Sequence, residues 1–300
     1  MSPMQRLLLI AHPDQRHSPA LQRAVALALA SDAPLHVVAF VEPFATFGLL
    51  DRKVQEQTRE SLLLEQRQWW EEEAKTLRGR GVKITTSVVW TTDRHRETIR
   101  QILEMQPDLV VKDIQREPAL KRAFVTPLDW YLLRECPVPI HLVADARHPL
   151  PHKIVAAVDP MDPDTQISGV NEKIISAATG LALQSNAELH LLYIYDCLPA
   201  YMANSGEGGV SWSDLAEELR IALHQSFVSL ADRFGVPQER RHFLMGSPIR
   251  GIADFVTEQA ADVVVMGRVH HKAIDKLIGS TTEHTLYQVP SSILAVRADK

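Results

Sequence analysis

The chain has 300 residues, 45% of them hydrophobic and 23% charged, with a formal net charge of -5. That length suits two cores of about 100–150 residues each, and the acidic balance excludes a general nucleic-acid binder, which needs a basic face against phosphate. Cys136 and Cys197 lie far apart with no CxxC spacing, Leu7–Ala11 is too short for a signal-peptide core, and no apolar run reaches the roughly 18 residues that span a bilayer, so the expectation is a cytoplasmic protein with no membrane or nucleic-acid partner.

In chain order, the short apolar runs Leu7–Ala11, Leu35–Val41, Ile84–Trp90, Leu109–Lys112 and Ile140–Val143 read as buried parallel strands. Amphipathic segments separate them. Leu21, Val25 and Ala28 recur at helical spacing, Leu62, Leu63, Trp69 and Trp70 sit in a long charged stretch, and Ile99, Ile102 and Leu103 make a third face. The paired tryptophans read as an anchor at a domain interface. Phe44, Phe47, Leu49 and Leu50 form an apolar loop between the second strand and the long helix, which reads as packing. Thr126 and Pro127 read as an N-cap and a first helical residue.

Asp145 to His152, with Pro149 and Pro151, is the natural boundary and gives a first domain of 1–147 and a second of 148–300. The second half has strands at Ile154–Val158, Leu189–Tyr195, His242–Met245, Val263–Met266 and Ile293–Val296. Its helices run near Val170–Leu183, Trp212–Phe234 (closed by Gly235) and Ile249–Ala260, with a short last one after Ser280. Asn204–Gly209 is a glycine-rich connection. Each half is therefore expected to be a Rossmann-like α/β domain, a doubly wound five-stranded parallel sheet with right-handed crossovers.

The halves repeat at residue level. Arg6–Pro13 returns as Lys153–Pro160, Pro107–Lys112 as Ala261–Met266, and Pro137–Val143 as Pro290–Val296. Only the second copy follows its fourth strand with a glycine-bearing segment, from Met266-Gly267 to Gly279-Ser280-Thr281. Ligands in such sheets sit beyond the carboxyl ends of the strands where the strand order reverses, which singles out Asp159 and the Gly267–Thr281 loop. Glycine lets backbone approach a phosphate, and a helix beginning at Ser280 aims unpaired N–H groups at the same place. Both features also have ordinary structural uses: Ser280-Thr281-Thr282-Glu283 is a capping box, and Asp159-Pro160 is a strand exit.

On these residues the chain resembles the universal stress protein family over essentially its whole length, in its tandem form. Val125–Trp130 and Leu132–Pro137 look like the E-type tandem members. The resemblance implies an internal pseudo-dimer through the last strands, Ile140–Val143 and Ile293–Val296, and a stress-response binding or regulatory role. In nucleotide-binding members the loop reads Gly, two residues, Gly, nine residues, Gly, then Ser or Thr; adenine is contacted by the first-strand Asp and by backbone at the end of the second strand. Carried over, the adenine-nucleotide positions are Asp159, Ile194, Met266, Gly267, Gly279, Ser280 and Thr281.

Two departures bear on affinity. His270 stands where the pattern has its second glycine, and eight residues separate it from Gly279. A left-handed His costs about 1–2 kcal/mol and each misplaced donor about 0.5–1.5 kcal/mol, which moves a micromolar site (about -8 kcal/mol) toward millimolar (about -4 kcal/mol). ATP is therefore expected to bind weakly or not at all, with His270, His271 and Lys272 as alternative partners for phosphate. In the first half His12 replaces the acidic residue, Lys112 and Asp113 stand at the positions of Met266 and Gly267, Val125 stands at that of Gly279, and Pro127 removes an N–H, so no nucleotide is expected there.

No catalytic or metal constellation emerges. The 13 histidines are scattered without zinc spacing, and neither cysteine has a motif neighbour, so the expectation is a binding module and no enzyme. Two other readings compete: a slow ATPase or phosphotransfer enzyme built on Asp159, and a carrier of an apolar metabolite lined by Phe44 and Phe47. The identity of protein partners and any further homodimer are left open.

Overall fold

The computed structural model describes residues 6–12, 15–115, 127–144, 148–161, 169–196, 212–268, 281–286 and 288–297. The chain divides into two compact units, Ser2–Leu150 and Pro151–Lys300.

In the first unit the strands are β1 (Leu7–Ile10), β2 (Leu35–Val41), β3 (Ile84–Trp90), β4 (Leu109–Asp113) and β5 (Ile140–Val143), all parallel in the order β3-β2-β1-β4-β5. Every side chain of β1 is buried, as a central strand covered on both faces requires. The helices are α1 (Pro19–Ser31), α2 (Arg52–Gly79), α3 (Arg94–Met105) and α4 (Leu128–Glu135). Side chains start three of them. Ser18 Oγ accepts from the Leu21 N–H, Asp51 Oδ1 from Lys53 and Val54, and Asp93 Oδ1 from Arg96. Only the C-terminal part of the 28-residue α2 is buried, through Trp70, Ala74 and Leu77 at spacings that share one helical face.

The second unit repeats the plan with β6 (Lys153–Ala157), β7 (Glu188–Tyr195), β8 (Arg241–Met245), β9 (Val263–Arg268) and β10 (Ser292–Arg297), ordered β10-β9-β6-β7-β8. Its helices are α5 (Val170–Ser185), α6 (Trp212–Arg233), α7 (Pro248–Glu258) and α8 (Thr281–Leu286). The α/β class, the doubly wound order and the strand positions agree with the sequence reading. The largest shift is at β9, which runs two residues past Met266.

A carboxylate staples the amino end of each sheet. Asp108 Oδ2 accepts the Arg6 N–H at 2.8 Å, and Asp262 Oδ2 accepts the N–H groups of His152 and Lys153 at 2.7 and 3.0 Å. At the opposite ends, β1 lies between β2 and β4, and β6 lies between β7 and β9, which are the points where strand order reverses. Among the described residues no helix is long and apolar enough to cross a membrane.

Candidate functional site

In the second unit Asp159 follows β6 directly and is held from three sides. Its N–H donates to Asn171 Oδ1 at 3.0 Å, and its carbonyl accepts from Asn171 Nδ2 at 2.8 Å, which ties the strand exit to the first turn of α5. Its Oδ1 accepts the Met161 N–H at 3.2 Å, a local turn of the kind aspartate favours. The Tyr193 hydroxyl, on the neighbouring β7, donates to the same carboxylate. Burial first, and then the Asp159 charge and hydrogen bond, hold that hydroxyl protonated far above the usual phenol range.

Ile194 comes next on β7. A Cβ added at Gly251 would lie 2.8 Å from Ile194 Cδ1 and 3.2 Å from its Cγ2, so α7 approaches this strand closely at Gly251. Gly267 in β9 has a matching explanation: a Cβ there would sit 2.8 Å from Val170 Cγ2 and 3.2 Å from Ile174 Cδ1, so α5 closes on β9 only because position 267 is bare. Met266 beside it is buried. The Thr282 hydroxyl donates to the Gly267 carbonyl at 2.8 Å and fixes the start of α8 at the end of β9. Thr281 is the first residue of α8, whereas Gly279, Ser280 and His270 to Lys272 lie outside the described residues. Asp159, Met266, Gly267 and the start of α8 thus gather at the carboxyl ends of the adjacent strands β6 and β9, with Ile194 on the other side of β6.

The first unit fills the same place with its own charges. Lys112, in the position of Met266, is buried; its Nζ donates to Asp129 Oδ1 at 2.7 Å and to the Asp113 carbonyl at 2.8 Å. Asp129 Oδ2 accepts the Gln115 N–H at 2.9 Å, and side-chain exposure is 3% for Lys112 and 0% for Asp129. Asp113, in the position of Gly267, accepts the Ala20 N–H at 2.8 Å and so caps the first turn of α1. His12 accepts the Gln15 N–H on Nδ1 at 3.0 Å and serves its own turn.

Other residues singled out from the sequence have local partners. Phe47 packs against Phe44 and Trp90 with ring centroids 5.5 and 5.2 Å away, and the Arg59 guanidinium lies over Trp90. Trp70 belongs to the core of the first unit, while Trp69 meets it edge-on and faces Arg16 and His17. Among the described residues no group of three or more His, Cys, Asp or Glu is placed to hold a metal ion.

Sequence reasoning missed two pairings. One is the counter-ion of Lys112: a lysine in a buried strand needs one, and Asp129 lies in the helix that follows. The other joins two of the histidines that are scattered in sequence: His190 Nδ1 and His242 Nε2 are 3.0 Å apart across β7 and β8. Their separation of 52 residues hides the pairing from any local motif.

The profile of the universal stress protein family matches residues 4–144 and 151–297, one copy per unit. The chain belongs to the universal stress protein family. As a tandem member it is similar to universal stress protein E of Escherichia coli (strain K12), 27% identical over all of this chain and 96% of that one. The universal stress protein E of Salmonella typhi is 26% identical over the same shares. A crystal structure of a putative universal stress protein from Pseudomonas aeruginosa UCBPP-PA14 superposes with a TM-score of 0.75 at 24% identity, covering 99% of this chain and 94% of that one. One from Archaeoglobus fulgidus gives 0.68 at 14%, covering 98% and 97%. At these identities the two structures speak for the tandem universal stress protein fold alone.

Proposed function

We propose that this tandem universal stress protein is a cytoplasmic stress-response binding module whose second unit takes an adenine nucleotide weakly, whose first unit takes none, and which does not turn the nucleotide over. The observation that carries this reading is the position of Asp159, held by Asn171 at the strand-order reversal. A carboxylate there accepts the exocyclic amine of adenine. Its affinity is kept low because the same carboxylate already accepts from Met161 and Tyr193, which leaves fewer of its lone pairs for an incoming donor. The first unit is closed by the Lys112–Asp129 pair, which occupies the matching strand end.

Calorimetric titration of ATP into the full chain is the test. Binding in the millimolar range (about -4 kcal/mol) is expected, lost in Asp159→Ala and in Gly279→Val and unchanged in Lys112→Arg. No heat at several millimolar ATP overturns the nucleotide reading and leaves a scaffold for protein partners. Phosphate release that depends on Asp159 favours a slow ATPase instead.

A further inference from the structure

The two units carry a histidine at the same place in their second strands. His36 lies in register with Leu8 of β1, and His190 lies in register with Val155 of β6. Their partners differ. His36 Nδ1 is 2.8 Å from Thr85 Oγ1 and its Nε2 is 2.9 Å from Ser87 Oγ, so hydroxyls that donate or accept adapt to either state of the ring. In the second unit the position of Ser87 belongs to His242, and the rings of His190 and His242 stack at 5.2 Å with 21° between their planes.

We propose that the His190–His242 pair is an acid-sensitive latch that holds the edge strand β8, and α7 behind it, onto the second unit. The geometry allows one N–H···N bond between the two rings when one of the facing nitrogens carries a proton and the other does not. When both rings are charged, two donors face each other across 3.0 Å and the bond is gone. A first proton leaves the bond intact and a second removes it, so the latch releases as a unit.

The surroundings resist that second proton. β6 contributes Lys153 and the turn before β8 contributes Arg240, both cationic; Glu188 of β7 is the opposing charge, 3.5 Å from His190 Nε2 and largely exposed. α7 contributes the Phe255 ring, 4.6 Å from His242, while its charged residues Arg250, Asp254 and Glu258 are exposed. Burial first lowers both imidazoles below the ordinary value of 6.5; Lys153 and Arg240 add to this for His190 against the pull of Glu188, and His190 and then Lys153 add to it for His242. The sign follows: the pair contributes its full stability above about pH 6.5, where folded and unfolded rings are both neutral. As pH falls through the folded values that contribution is lost, because the unfolded rings have already taken their protons. β8 lies at the end of the strand order and pairs only with β7 among the strands of its unit, so it is the element that loosens. α7 also seats Ile194 through Gly251, so the loosening reaches the carboxyl end of β7.

Hydrogen exchange read by mass spectrometry on the full chain at pH 7.5 and pH 5.0, with rates corrected for intrinsic pH dependence, tests this. The segment 241–245 is expected to lose protection about tenfold more than the matching edge strand 84–90, where His36 meets hydroxyls. In His242→Ser, which copies the Ser87 arrangement, that excess disappears. His242→Gln, uncharged and able to hydrogen-bond, gives the same reading should the smaller residue destabilise the unit. Equal loss at both edges in the natural protein, or an excess that survives either substitution, overturns the latch.

Discussion

The ends of β4 and β9 hold matching places in the two units and are built from opposite materials. β4 finishes in a buried cation whose counter-ion comes from α4, and in a carboxylate that caps α1. β9 instead has a glycine as its penultimate residue, before the buried Arg268, so the helix corresponding to α1 packs directly on the backbone there. The contrast separates two ways to close a strand near its end: by charge, which fixes a few side chains in one arrangement, and by close approach of a helix to a residue without a side chain.

The charged end should break hardest. Lys112→Met leaves the fully buried Asp129 carboxylate without its cation and is expected to destabilise the first unit by about 3–5 kcal/mol, seen as an earlier transition in urea. The double variant Lys112→Met with Asp129→Leu should recover most of that loss, since the uncompensated charge and not the missing bond is the penalty. A small effect of the single variant would mean that Asp129 finds another partner and that the pair is not what closes this end.

The bare end should break by crowding. Gly267→Ala places a Cβ 2.8 Å from Val170 Cγ2 and is expected to cost about 1–3 kcal/mol in thermal unfolding of the second unit, with partial rescue by Val170→Ala. Rescue distinguishes packing from a backbone requirement, which no neighbouring truncation repairs. The smallest change is Asp113→Ala, which strips the carboxylate from the Ala20 N–H and should cost about 0.5–2 kcal/mol, measured on the first unit by the same urea titration.

Much of the architecture was legible because its signals are local. Runs such as Leu7–Ile10 and Val263–Met266 are too short and too apolar to be anything but buried strands, whereas the helix expected to start at Pro127 starts at Leu128 with Pro127 as its N-cap. The repeat supplied the rest, since each strand of one unit predicts its counterpart in the other. The site was legible in position more than in content. Asp159 and Gly267 follow from topology, but nothing in the sequence says that Tyr193 and Asn171 engage Asp159 or that Gly267 is spoken for by Val170, because those contacts join residues on different elements. The histidine pair escaped for the same reason: register between β7 and β8 has to be known before His190 and His242 can be seen as neighbours.

The staples at the amino ends of the sheets divide labour along each strand. Asp108 and Asp262 lock the first and fourth strands together at the end away from the strand-order reversal, each through the matching backbone N–H of Arg6 or Lys153, with His152 as a second donor to Asp262. Strand alignment is therefore settled before the chain reaches the carboxyl ends, and the residues there are released from any duty to maintain it. After a gene duplication, such a frame lets one copy exchange a glycine for an aspartate, or a methionine for a lysine, without sliding its strands, so that the two halves of one polypeptide are free to acquire different chemistry on an unchanged scaffold.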